Sequence, residues 1–497
     1  MSAARKKVLL TADRTLMSDY RHNEFLGFGS TAPPNLIPDW LFMRLFFPPV
    51  KTREGIPLEA PYGLRKIESQ LIGEGFDVLT VDPDHLNRYL EEAKVLGVHV
   101  MDPFGIGPSS STFTRILNTG EPYLAKYFQM LLEKPEVRRA KKRGLKIIVG
   151  GPGTWQFRYR PEFLNEHGID CAVNGEAEKV VGKIFERALK GEEIPQFYDV
   201  NVKDAPSVQE IPDIRNPSVN GLVEVGRGCC RGCKFCSVTL RPLRWYPYEK
   251  IEREIIVNVE AGVNRGLLHA EDVLLYGSKN IIPDRDRVLK LHKSCKRLLR
   301  NIGWSHASMS AVAADPKLVE EVSEVLLDED QEWWGAEMGI ETGAPNLIKK
   351  AMPSKALPFK PEDWPEVVKT AAGIMTDSSL VPACTLIMGL PQETEEDVIK
   401  SIELIEDLKG FKSLIVPLFF VPMGQLRDED WFTTEQMNDL QRELLVKCLK
   451  HDVYWAKIIM RSYFDTWYGP LASSIYRFFV WLVERKAKEE KIDLEMA

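Results

Sequence analysis

The stretch Val223 to Cys236 reads V-E-V-G-R-G-C-C-R-G-C-K-F-C and places four thiols and three glycines in fourteen positions, directly after a short β-branched run. Cys229, Cys233 and Cys236 have the spacing C-x3-C-x2-C. One loop therefore offers three thiolates, enough to grip three irons of a [4Fe–4S] cubane and leave the fourth iron open to a substrate. Gly226, Gly228 and Gly232 allow the positive φ values that wrapping a cluster requires. The alternative is a tetrahedral zinc site using Cys229 or Cys230 with Cys233 and Cys236. Cys230 is expected to be a small packing residue and not a ligand.

Around that loop lie 497 residues, too many for one ordinary core, and roughly 150 residues per domain suggests about three domains. The formal charge of −7 argues against an electrostatic nucleic-acid binder, with Arg138 to Arg143 expected to be a solvated helix end. Eight cysteines, four of them in one loop, are no disulfide framework and point to a reducing cytoplasm. Met1 to Lys7 is basic, but Asp13, Arg14 and Asp19 interrupt any signal-like apolar run, so no secretion is expected. Ile475 to Val483 falls short of the roughly 20 apolar residues needed to cross a bilayer, so no membrane insertion is expected.

Upstream of the loop, five short apolar runs recur with helical patterns between most of them: Val8 to Thr11, Phe76 to Val81, Val95 to Met101, Lys146 to Val149 and Asp170 to Val173. This is the pattern of a parallel α/β sheet, spanning residues 1–200. Tyr62 to Glu74 is expected to be a helix capped at Gly75, and Glu121 to Arg143 another long one. Ligands of such a sheet bind beyond the strands' carboxyl ends. There stand Met101 to Pro108 with three serines, then Gly150-Gly151-Pro152-Gly153-Thr154, then Asn174-Gly175-Glu176-Ala177-Glu178, the last expected to open a helix. An aromatic-rich insertion from about Met17 to Pro57, helical around Pro38 to Phe46, is either a satellite core or a functional loop.

Asp204 to Pro217 carries three prolines and reads as a linker over residues 201–217. Beyond the cysteines, strand-like runs at Asp272 to Tyr276, His306 to Ala311, Trp334 to Ile340, Val381 to Met388 and Ser413 to Phe420 alternate with helical patterns. With the strand before the cysteines they make six, which predicts a partial (β/α)6 barrel over residues 218–425. Residues 426–497 read as a helical, aromatic-rich domain, with Tyr476 to Val483 presenting a wide apolar face.

The cysteine loop, with aromatic Phe235 before the last cysteine, resembles the signature of the radical S-adenosylmethionine (SAM) enzymes. Gly339-Ile340-Glu341-Thr342-Gly343 looks like that family's turn near the SAM ribose, Leu386 to Thr394 its segment near the adenine, and Val421-Pro422-Met423-Gly424 its last-strand ending. Glu271 and Asp272 stand where a G-G-E-P motif is often found. Residues 1–200 resemble the Rossmann-like cobalamin-binding domain that precedes many such barrels, although Asp82-Pro83-Asp84-His85 lacks the spacing of the cobalt-histidine motif.

The resemblance implies three cofactors: a [4Fe–4S] cluster on Cys229, Cys233 and Cys236, SAM, and base-off cobalamin. It puts SAM near Phe235, Glu341, Thr342, Gly343, Ile387 and Gly389. It puts cobalamin near His99, Asp102, Ser109, Gly150, Gly151, Gly153, Gly175 and Glu176, with His99 and Asp102 nearest the lower face. No catalytic residue is assigned beyond the cluster. The implied activity is C-methylation of an unactivated sp3 carbon of a protein or peptide substrate, fed by a low-potential electron donor and consuming two SAM molecules. The extended N-terminal segment and aromatic tail look like archaeal enzymes that modify methyl-coenzyme M reductase, and a glutamine of that protein is the expected target. The alternatives are a non-methylating relative, such as one forming rings in archaeal lipids, and a cobalamin-binding regulator with a structural metal.

Overall fold

The computed structural model describes residues 7–34, 37–118 and 120–464, together with Trp481 and Arg485. Two compact units are formed, Met1–Glu224 with Arg244–Leu267 and Val225–Leu243 with Leu268–Ala497. The architecture is α/β throughout.

The first unit is built on a six-stranded parallel sheet. Its strands are β1 (Val8–Ala12), β2 (Val78–Thr80), β3 (Val95–His99), β4 (Lys146–Gly150), β5 (Cys171–Asn174) and β6 (Phe197–Asp199), in the order β2-β1-β3-β4-β5-β6. All five residues of β1 are buried, because helices cover both faces of a parallel sheet and such strands read as unbroken apolar runs. Five strands fall on the five apolar runs. The sixth, β6, has only half-buried or exposed residues and carried no apolar signal.

Tyr62–Gly73 is helical as expected, with Gly75 in the left-handed region (φ 87°) just past its end. The expected helix from Glu121 to Arg143 is instead two, Tyr123–Glu133 and Pro135–Lys142. Pro135 cannot continue a helix and pushes Lys134 to extended backbone (ψ 133°). Arg138 pairs at 3.4 Å with Glu133 on this exposed end. The insertion forms a satellite core: Phe42 lies 4.2 Å centroid to centroid and nearly parallel to Tyr123, with Phe46 stacked on its other side.

The segment read as a linker is packed into the first unit, with Ile211 and Ile214 buried. A buried ionic network holds it and the helix Tyr248–Glu260 in place. Glu254 accepts from Lys66 and from the Tyr62 hydroxyl, Lys66 also donates to the Pro212 carbonyl, and Lys250 bonds the Ile211 carbonyl and Asp213. Burial of these charges is tolerable because each is paired and further hydrogen-bonded.

The second unit contains most of the barrel strands, with Leu222–Glu224 and Arg265–Leu267 falling in the first. The Val225 N–H donates to the His269 carbonyl, Ser305 to Leu268 and Glu337 to Ser305, which sets four neighbouring strand positions in chain order. Trp334–Glu341, Leu380–Met388 and Leu414–Phe419 follow as adjacent parallel strands. Two expectations shift. The second strand is Arg265–His269, and Val273–Leu275, where the strand was expected, forms a single 3₁₀ turn. The third is Asn301–Trp304 with His306–Ala307, and Met309–Ala314 is helical behind the Ser308 cap.

The described C-terminal helix, Asp439–Phe464, packs on the barrel: Asp452 accepts from the Ile415 N–H at 2.6 Å and Trp455 donates to the Lys409 carbonyl at 3.1 Å. The apolar face expected over 476–483 lies outside the described residues apart from Trp481, which is exposed. Among the described residues no helix is long and apolar enough to cross a membrane.

Candidate functional site

In the second unit the cysteine loop is fixed by its backbone. Lys234 donates to the Ala351 carbonyl at 2.9 Å, and Gln425 donates to the Lys234 carbonyl at 2.7 Å. Gly424, from the V-P-M-G ending, packs so closely that a Cβ there would stand 2.7 Å from the Lys234 carbonyl and 2.8 Å from that of Cys236. Cys233 is buried, Cys229, Cys236 and Phe235 are half-buried, and all three candidate ligands are free of disulfides. Cys230 is exposed, which corrects its expected packing role: its side chain faces outward from the loop.

Among the described residues no group of three or more His, Cys, Asp or Glu side chains is drawn together to hold a single metal ion. The donor set nonetheless suits a cluster. Burial pushes the Cys229 thiol up to about 12 and that of Cys233 to about 11, so thiolates on this loop need an adjacent cationic centre to form at neutral pH. Arg231, between the cysteines, is 4% exposed and donates to Asp272 Oδ2 (3.1 Å), the Ser308 hydroxyl (2.7 Å) and the Leu357 carbonyl (2.7 Å). Its guanidinium ties the loop to the turn after the second strand, so Asp272 serves as a structural anchor.

Glu341 is held in an uncommon backbone conformation at the barrel edge. The pairing register shifts between Gly339 and Glu341, and Glu341 adopts φ 64°, so a bulge re-aims its side chain. Its carboxylate accepts from Lys355 Nζ at 2.9 Å and from Thr385 Oγ1 at 3.0 Å. A Cβ on Gly339 would stand 1.8 Å from Glu341 Oε1 and 2.6 Å from Lys355 Nζ, so the glycine at this position makes room for the ion pair. Burial works against the Lys355 charge, but Glu341 and Cys233 outweigh it and hold the ammonium above its usual range. The structure thus gathers Cys233, Lys355, Glu341 and Thr385 into one polar cluster. Lys355 and Thr385 escaped the sequence reading because Lys355 sits in an irregular loop and Thr385 is one polar residue in a strand.

Thr342 and Gly343 meet Ser401, at 3.2 Å and 2.9 Å, and a Cβ on Gly343 would lie 2.4 Å from the Lys400 carbonyl. They build the turn. Gly389 has φ 77°, and its Cβ position is filled by the Phe432 ring. Its N–H donates to Glu393, whose carboxyl burial pushes up to about 7. Ile387 is half-buried and shares a strand face with Thr385. A further barrel pair went unread: His306 and Glu337 lie 3.3 Å apart on neighbouring strands. Burial disfavours the imidazolium, but Glu337, Glu271 and Asp272 carry it up to about 9.

In the first unit, β3 and β4 pair His99 with Gly150, and β4 and β5 pair Gly150 with Val173. The candidate residues therefore end adjacent strands at one edge. Burial lowers the His99 imidazole to about 4, leaving it neutral. Gly151 has φ 119°, and a Cβ there would stand 2.8 Å from His99 Nδ1 and 2.5 Å from the Val100 carbonyl. Gly150 is open, with nothing nearer its Cβ position than the Val173 carbonyl at 4.0 Å. Asp102 Oδ1 is taken by the N–H groups of Ile106 and Gly107 and by Gln156 Nε2, so its oxygen clamps the loop. Gln156 went unread because it lies in a short 3₁₀ turn with no motif.

Gly153 lies against the Met101 carbonyl, and Ser109 is half-buried in the first turn of Pro108–Ile116. Gly175 abuts Val200, and Glu176 forms a two-point ion pair with Arg244 at 2.7 and 2.9 Å. The helix expected to open at Asn174 begins only at Val181. An open edge at Gly150 with neutral His99 beside it suits a flat ligand, whereas Asp102 and Glu176 are already engaged by the protein.

Residues 223–405 match the Radical SAM superfamily. A tRNA-2-methylthio-N(6)-dimethylallyladenosine synthase of Thermotoga petrophila is 24% identical over 269 residues, 53% of this chain and 57% of that protein. A putative methylthiotransferase of Methanocaldococcus jannaschii is 25% identical over 59% of this chain and 64% of its own length. The ribosomal protein uS12 methylthiotransferase RimO of Clostridioides difficile is 25% identical over 54% and 58%. The chain thus spans less than two thirds of these relatives. Among solved structures, the radical SAM methyltransferase TsrM of Kitasatospora setae aligns with TM-scores of 0.52 and 0.54 in two structures, at 14% identity. They cover 84% and 83% of this chain and 73% and 75% of TsrM. That likeness is one of fold. The matched residues 223–405, less than half of the chain, hold the three cysteines and Glu341.

Proposed function

We propose that this protein is a cobalamin-dependent radical SAM methyltransferase that methylates an unactivated carbon of a protein residue, with a glutamine of methyl-coenzyme M reductase as the specific target. The observation carrying this reading is that a radical SAM domain with all three loop cysteines follows a parallel sheet, in a fold that aligns over most of its length with a structure described as holding cobalamin and a [4Fe–4S] cluster.

In this reading Cys229, Cys233 and Cys236 would hold the cluster, and Glu341, the Thr342–Gly343 turn, Ile387 and Gly389 would hold SAM. Gly150 and His99 would help hold cobalamin. Bound together, these groups supply a low-potential electron, a hydrogen-abstracting radical and a methyl carrier. The chain's own part is positional. Arg231 keeps the cysteine loop in one conformation, and Lys355 and Thr385 hold the Glu341 carboxylate at a fixed height. Ser401 braces the neighbouring turn. His99, kept neutral, offers an uncharged side chain beside Gly150.

The named relatives favour a second reading, methylthio transfer to RNA or protein. Against it, residues 1–224 contain one cysteine, Cys171, which is 0% exposed within β5, so that part of the chain has no thiol set for a second cluster. The test is reconstituted protein with low-potential reductant and a glutamine peptide. Each methylated product should accompany one 5′-deoxyadenosine and one S-adenosylhomocysteine, and omission of cobalamin should stop methylation while uncoupled deoxyadenosine continues. A product gaining sulfur, or deoxyadenosine without S-adenosylhomocysteine or a methyl mass gain, refutes the reading.

A further inference from the structure

A cleft of about 600 Å³ opens in the first unit where β1 and β2 end. Arg14 follows β1 and Asp84 follows β2, two strands paired directly in the sheet. The candidate cobalamin residues follow β3, β4 and β5, on the other side of β1 in the strand order. The remaining walls come from the insertion after β1 and from the helix Tyr123–Glu133. Carboxyl-end crevices of parallel sheets are where ligands of such folds bind.

The cleft's polar lining is unbalanced. Four cations face it, Arg14, Arg21, Arg44 and Lys134, and Asp84 is the one carboxylate among its described lining residues. Arg14 is 8% exposed and spans Asp82 and Asp84 through Nη2, while its buried Nε has no hydrogen-bond partner among the described residues. Lys134 shares Asp84 at 3.0 Å. The Arg21 guanidinium donates to the backbone carbonyls of Leu45 and Arg44, each at 2.7 Å. Its position is held at a conformational cost, since Tyr20, Arg21 and His22 have φ of 49°, 52° and 65° in succession. Three consecutive non-glycine residues in the left-handed region persist only where surrounding structure demands it, and such strain clusters at ligand sites. Tyr127 adds a phenol that burial, Asp39 and Asp84 keep protonated, hence a donor. Met130, 47% exposed, and exposed Pro49 supply the open apolar surface, with buried Met43, Phe47 and Leu131 behind it.

We infer that this cleft binds an organic phosphate, its oxyanion at the Arg21–Arg44 rim and its apolar body against Met130 and Pro49. A phosphate presents several acceptor oxygens, matching guanidinium forks, an ammonium and a phenol better than a carboxylate does. Its strands are not those that carry the candidate cobalamin residues.

The probe is phenyl phosphate, titrated calorimetrically into the full chain loaded with cobalamin, with benzoate as the carboxylate control. Saturable binding, tighter than benzoate and weakening with added salt, is expected. Arg21→Gln with Arg44→Gln, both at exposed positions, should weaken it about tenfold or more. Tyr127→Phe should weaken it less, and unchanged circular dichroism should show that each variant folds. Equal affinity in the double variant, benzoate binding as tightly, or displacement of phenyl phosphate by free cobalamin would each overturn the assignment.

Discussion

Replacing Lys355 by Met should cost more stability than almost any other single change at the barrel edge. Lys355 and Glu341 are 8% and 7% exposed and 2.9 Å apart, and the Thr385 hydroxyl is the carboxylate's other hydrogen-bond partner. Methionine keeps the unbranched stem but removes the ammonium, leaving a buried carboxylate against one neutral donor. Breaking one side of a buried pair costs about 3–5 kcal/mol, most of it the uncompensated charge. The pH dependence has its sign set by Lys355 being raised in the folded state. Its contribution is complete below the unfolded lysine value of about 10.4 and lost only as pH climbs through the higher folded value, so a measurement near neutrality reads all of it.

The assay is anaerobic urea unfolding of cluster-free protein, monitored through the buried barrel tryptophans Trp304, Trp334 and Trp364. Glu341→Gln is the second arm, and the double variant closes the cycle. With both charges gone, the double loss should fall short of the sum of the singles by more than about 1 kcal/mol. A Lys355→Met loss within about 0.5 kcal/mol of zero, or strictly additive losses, would refute a buried, coupled pair.

Anaerobically reconstituted protein should hold about four irons and four sulfides, losing them on Cys229→Ala, Cys233→Ala or Cys236→Ala but keeping them on Cys230→Ala; loss with Cys230→Ala is the contrary result. The His306 imidazole, carried up to about 9, should titrate there by NMR and fall below its ordinary range in Glu337→Gln. Its stabilisation is complete below about 6.5 and disappears as pH rises through about 9, so Glu337→Gln should flatten that part of the stability profile. Glu393, pushed up to about 7, binds a proton in the folded state that the unfolded chain releases near 4.3, so stability falls as pH rises between the two values. Glu393→Gln should remove up to one proton from that slope, and an unchanged slope would contradict the burial of its carboxyl. Gly339→Ala should loosen the barrel edge and weaken SAM binding, because its Cβ falls on Glu341 Oε1.

Five strands of the first sheet were legible because parallel strands buried on both faces leave nearly unbroken apolar runs, as Val8–Ala12 does, whereas the barrel strands Trp334–Glu341 and Leu414–Phe419 alternate buried and half-buried positions and were legible by that alternation and by their apolar residues. The second barrel strand was misplaced for the same reason. Val273–Leu275 is fully buried yet forms a 3₁₀ turn, whereas the true strand Arg265–His269 has only two buried residues. Hydrophobicity reports burial, and burial alone does not distinguish a strand from a tight turn packed against it. The site divides along a similar line. Cysteines and glycines announce themselves by spacing, but the groups that hold them, Arg231 on Asp272, Lys355 on Glu341 and Gln156 on Asp102, are paired across 41, 14 and 54 positions of chain. No local pattern encodes such pairs. Asp102 and Glu176 bear the consequence, since each stands at a strand end where a ligand contact was expected, and Asp102 Oδ1 and both Glu176 oxygens are spent on the protein. A carboxylate at a sheet edge must find donors whether or not a ligand comes, and Gln156 and Arg244 were the nearer ones.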